Sequence, residues 1–154
     1  MELTMKLNKL LLSAIALAPL SMAQAAIDVN DVYARATPPN ATTSAVFGTI
    51  ENTGNEVRTI VSASSQASSV VELHDVIKEG DVMKMRQVNT IDIPANGKTI
   101  LKPGSLHVML LDVKAPMKEG DTINVELTFA NGEVKVLTVP VKKVMSGMKH
   151  HKHH

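Results

Sequence analysis

The chain reads as an all-β domain, an antiparallel β-sandwich with Greek-key connections, and three observations say so. Short runs rich in Val, Ile and Thr recur at intervals of about eight to twelve residues, broken by turn residues, as sandwich strands do. Ala130-Asn131-Gly132 stands between two alternating runs, and Asn-Gly in that setting is the strongest short-range hairpin signal. No stretch carries an amphipathic helical period of three turns or more.

The strands follow in order. Residues 44–51 form an alternating run that ends at the turn-forming Asn52-Thr53-Gly54-Asn55. Residues 57–64 are the next strand, and residues 70–77 follow a Ser/Ala-rich bend. Glu79-Gly80-Asp81 is a hairpin turn into residues 82–86. Residues 91–93 run into the turn Pro94-Ala95-Asn96-Gly97, and residues 98–101 make a short strand. The loop Lys102-Pro103-Gly104-Ser105 leads into residues 106–113. Residues 122–129 and 133–139 pair across Asn131-Gly132, both expected at the positive φ of a type I′ turn. From residue 142 the alternation gives way to Lys, His, Met, Ser and Gly, which predicts a flexible tail.

The N-terminus has the form of an export signal. Lys6 and Lys9 precede an apolar stretch, residues 10–20, that is too short to span a bilayer comfortably, and Ala23-Gln24-Ala25 offers small residues for cleavage. The division expected is a signal peptide over residues 1–25, a folded domain over 26–141 and a tail over 142–154, with the mature protein periplasmic, outside the membrane and monomeric. Without Glu2, Lys6 and Lys9 the mature chain has 14 basic and 14 acidic residues, a balance that gives nucleic acid no basic footprint to bind. Cysteine is absent, which excludes a disulfide scaffold and thiol–disulfide chemistry.

Without thiolates, soft-metal chemistry falls to thioethers and imidazoles, and these are spaced in a telling way. His74 is followed after ten residues by Met85, and after a further 21 by His107-Val108-Met109. Two imidazoles and two thioethers suit a soft, low-charge cation, copper(I) best of all. Residues two apart on a strand share a face, so His107 and Met109 project together, and the turn at Gly80 can bring the strands of His74 and Met85 side by side. Each residue also has a plainer reading. Met83 and Met85 alternate with Lys84 and Arg86 as core-filling methionines of a half-buried strand would, and Met83 is assigned to the core or to a supporting position behind the ligands. Met109 sits beside Leu110 and Leu111 and fits a core equally well, and a lone strand histidine is usually structural.

The stretch from His74 to Met109 closely resembles the periplasmic copper chaperones known as PCuAC. It includes Val82-Met83-Lys84-Met85-Arg86, Ile93-Pro94-Ala95, Leu101-Lys102-Pro103-Gly104 and Leu106-His107-Val108-Met109-Leu110. Upstream, residues 34–39 and 50–54 look like the N-terminal half of that family, so the likeness covers nearly the whole mature chain. It implies a cupredoxin-like sandwich or barrel holding one Cu(I) through His74, Met85, His107 and Met109. It also implies delivery to the copper-site subunit of a respiratory cytochrome oxidase; whether a thioredoxin-like copper protein works alongside is a question the sequence leaves open. Many members have methionine directly after the first histidine. Here that position is Asp75, which faces away from His74 on a strand and leaves the four-donor set intact.

Met145, Met148, His150, His151, His153 and His154 form a second, unscaffolded donor cluster, expected to bind Cu(II) or Cu(I) as an auxiliary site. A redox enzyme is disfavoured: blue-copper centres need a cysteine, and no Ser/His/Asp set or carboxylate pair marks a substrate site. The alternatives to delivery are copper scavenging or tolerance, and a structural β-sandwich with incidental metal binding.

Overall fold

The structure is a computed structural model that describes residues 27–143, ten strands and no helix among them. The strands are β1 (Ile27–Arg35), β2 (Ser44–Asn52), β3 (Arg58–Ser65), β4 (Val71–Glu79), β5 (Val82–Val88), β6 (Ile91–Ile93), β7 (Gly97–Leu101), β8 (His107–Leu110), β9 (Thr122–Phe129) and β10 (Val134–Lys142). Hydrogen bonding runs β5-β4-β8-β2-β1-β10-β9-β3-β6, with β7 also on β2. Neighbours that are distant in sequence, such as β4 with β8 and β3 with β9, are the mark of Greek-key connections. The fold is the all-β, cupredoxin-like arrangement expected, except that β1 and β10 pair in parallel where an antiparallel sandwich was expected.

Alternation builds the core. Val46 and Ile50 from β2, Leu73 from β4, and Val108 and Leu110 from β8 are buried with Ile60, Val125, Leu127, Phe129, Val139 and Val141 from the β3, β9 and β10 side. These residues sit one step out of phase with His74, His107 and Met109, so the core and the candidate ligands occupy opposite faces of β4 and β8.

One strand was not legible in sequence. In β1 the pairing with β2 shifts register between Asn30 and Tyr33, and Asp31 has φ 55°, so the bulge breaks the alternation that would have revealed it. The bulge presses against Gly48 of β2, where an added Cβ would lie 2.9 Å from the Val32 Cα. The terminal hairpin also differs from expectation. Only Gly132 has positive φ (92°), and its N–H donates to the Phe129 carbonyl at 2.8 Å. The turn is therefore the three-residue kind with a bulge at glycine, in place of type I′.

Strand limits shift by one to three residues elsewhere, and two of the shifts matter here. The run expected over 106–113 stops as a strand at Leu110, and Asp112 beyond it takes φ 63°. Lys142, expected in the tail, is the last residue of β10 and pairs with Arg35.

Candidate metal centre

The Gly80 turn works as the sequence suggested. Gly80 takes φ 65°, Glu79 pairs with Val82, and β5 folds back along β4. The register places Met85 opposite Val76 and His74 opposite Gln87, so Met85 is the diagonal neighbour of His74 on the same face. On the other side of β4, β8 sets His107 directly opposite His74 and Met109 opposite Glu72. Opposed residues share a face, so His74, Met85, His107 and Met109 converge on one side of three adjacent strands. The two imidazole rings lie 5.8 Å apart, centre to centre. Met85, His107 and Met109, but not His74, line a cleft of about 260 Å³ together with Pro103 and Gly104 of the β7–β8 loop.

The histidines are sunk and Met85 is not. His107 is 3% exposed, while Met85 is 51% exposed. Phe47 of β2 packs against His107 with ring centres 5.9 Å apart, and the Arg35 guanidinium caps Phe47 at 5.6 Å. Burial, with the nearby His74 and Arg35, lowers the His107 pKa below the ordinary 6.5 and outweighs the opposing backbone hydrogen bond and Asp75. The imidazole is thus held neutral, the form a metal requires.

Hydrogen bonds then fix which nitrogen of each ring is free. His107 Nδ1–H donates to the Ser105 carbonyl at 2.8 Å, which leaves Nε2 with its lone pair. His74 Nε2 bonds the Glu72 carboxylate at 2.8 Å, and the buried Nδ1 has no hydrogen-bond partner. A buried polar atom left unsatisfied costs about 1–3 kcal/mol, and a cation on Nδ1 would remove that cost. Each ring therefore offers one tethered and one available nitrogen, the usual arrangement of a metal-binding histidine. Among the described residues no group of three or more His, Cys, Asp or Glu is placed to hold a metal, so the two imidazoles would bind one only with other donors, and the thioethers on their face are such donors. The donor chemistry fits a soft monovalent cation.

Met83 calls for a correction. It is 57% exposed, opposite Lys78 on the edge strand β5, and fills no core. The sequence pattern misled because the β4–β5 hairpin runs past the body of the sandwich and leaves nearly all of β5 in solvent. Met117, which carried no sequence signal, is in the core. Sequence reasoning also passed over Phe47, Arg35 and Glu72. Glu72 alone had a usable signal, being two residues before His74 and so on its face. The tail residues Met145, Met148, His150, His151, His153 and His154 lie outside the described residues, as does the signal segment.

The chain is thus a small β-domain with two histidines and two thioethers on one sheet face, a donor set whose chemistry suits a soft cation. It belongs to the LpqE-like family, described as putative lipoprotein LpqE-like; the family model matches residues 27–141. The chain is 36% identical over 100 residues to the putative lipoprotein Lxx21020 of Leifsonia xyli subsp. xyli, covering 64% of this chain. It spans 60% of that relative's length. The Cu(I) form of DR1885 from Deinococcus radiodurans superposes with a TM-score of 0.65 at 30% identity, over 81% of this chain and 85% of that one. The copper-bound PCuAC domain from PmoF2 gives a TM-score of 0.65 at 17% identity, over 77% and 93% of the two chains, a likeness of fold.

Proposed function

We propose that this chain is an exported, periplasmic copper chaperone that binds Cu(I) through His74, Met85, His107 and Met109 and delivers it to the copper-site subunit of a respiratory cytochrome oxidase. The observation that carries the reading is the opposed histidine pair, each ring with one nitrogen tethered and one free, on the same face as two thioethers. The 30% identity to a domain solved in its Cu(I) form supports it. Neutral thioethers favour Cu(I) over Cu(II) and zinc, need no deprotonation, and release the ion more readily than thiolates.

The exposure gradient suggests the order of release. Met85, half exposed on an edge strand, gives way first to an acceptor's thiolate or imidazole, and Met109 follows. The sunken histidines let go last. The chain acts as a carrier and catalyses no reaction. The His/Met-rich tail serves as an auxiliary site for Cu(II) or Cu(I), raising the local copper supply, and a thioredoxin-like copper protein can act alongside.

The test is transfer: the Cu(I)-loaded protein is mixed anaerobically with an apo oxidase copper domain. The reading expects copper to move to the acceptor, with Met85→Ala and Met109→Ala variants binding Cu(I) more weakly in competition titrations. Tight binding with no transfer would instead favour scavenging or tolerance. No high-affinity Cu(I) site would leave a structural sandwich.

A further inference from the structure

His74 and Glu72 stand two residues apart on β4 and share its metal-facing side, with His107 and Met109 opposite them on β8. The Glu72 carboxylate reaches the His74 ring at 2.8 Å, and the side chains are 28% and 12% exposed, so the bond is largely shielded from water. A carboxylate only accepts, so the shared proton belongs to Nε2. The other nitrogen, Nδ1, is buried and bonds to nothing. A neutral imidazole has one proton and one lone pair, and whichever partner claims the proton decides which nitrogen can take a metal.

We propose that Glu72 is a positioning residue for copper: it keeps the His74 proton on Nε2 and so keeps the lone pair on buried Nδ1, the nitrogen that binds the ion. This rests on the Cu(I)-carrier reading and adds to it the ligating atom and the group that selects it. Ser105 does the same for His107 with the opposite outcome, since its carbonyl holds the proton on Nδ1 and frees Nε2. The two histidines thus bind through different nitrogens. A glutamine at position 72 can still accept from Nε2–H through its amide oxygen, whereas an alanine cannot.

The test compares Glu72→Gln and Glu72→Ala in the full chain. Ring nitrogen chemical shifts from long-range proton–nitrogen spectra of the copper-free protein report the tautomer, and anaerobic competition reports Cu(I) affinity. The expected result is an Nε2–H tautomer for His74 in the unaltered protein and in Glu72→Gln, and a mixed population in Glu72→Ala. Affinity should fall about 10- to 100-fold in Glu72→Ala and only a few-fold in Glu72→Gln. An Nδ1–H tautomer in the unaltered protein would overturn the proposal. So would a Glu72→Ala protein with unchanged tautomer and affinity, or equal losses in both variants, which would make the carboxylate itself a ligand. If the unaltered protein bound no Cu(I), the carrier reading would fail, while the tautomer spectra would still decide whether Glu72 places the proton.

Discussion

His107 couples metal readiness to acid sensitivity. Its pKa in the folded protein lies below 6.5, chiefly because burial penalises the charged ring. Above that pH both the folded and unfolded chains have it neutral, and it adds no pH dependence. As pH falls through 6.5 the unfolded chain takes a proton before the folded one does, so stability of the copper-free protein declines until the folded pKa is passed. Chemical denaturation at about pH 7.5 and about pH 5 should show this loss, and His107→Gln should make it shallower. Equal slopes would mean that the ring is not desolvated.

The methionines separate on the same scale. Met85→Ala should weaken Cu(I) binding while changing stability by less than about 0.5 kcal/mol, because half the side chain is already in water. Met83→Ala should change neither, despite identical chemistry two residues away. The spacing of His74, Met85, His107 and Met109 was legible in the sequence because the intervals fit paired strands. Phe47 and Arg35 were not, because the approach of Phe47 to His107 depends on the β2–β8 register and that of Arg35 to Phe47 on the bulged β1–β2 pairing, which no local pattern encodes.

Among the elements, the β4–β5 hairpin and β8 position the four candidate donors, and the β1–β2 bulge packs against β2, the strand beside β8. Gly48→Ala should destabilise the fold by about 1–3 kcal/mol, because its Cβ would meet backbone at Val32 with no flexible side chain to yield. A denaturation midpoint equal to that of the unaltered protein would show that the bulge can shift. Most strands were readable because they alternate between core and solvent. β1 was hidden by its bulge at Asp31, and β5 was readable as a strand while its burial was not, since alternation cannot tell a half-buried strand from one that extends into solvent. The type I′ expectation at Asn131-Gly132 failed because the strands close around a three-residue loop, in which only Gly132 needs positive φ.

For the whole molecule, the carrier reading makes copper a stabilising ligand. Free Cu(I) held a hundredfold above Kd should add about 2.7 kcal/mol and raise Tm by roughly 10 °C. Ending the chain at Val144 should leave this shift in place and remove only the additional Cu(II) uptake. Dependence of the shift on the tail would move the principal site out of the sandwich. The central claim is that two imidazoles and two thioethers on one sheet face hold the ion. X-ray absorption at the copper edge of the Cu(I)-loaded protein ending at Val144 tests it most directly. The account predicts two nitrogen and two sulfur neighbours around copper, and a shell with no sulfur would contradict it.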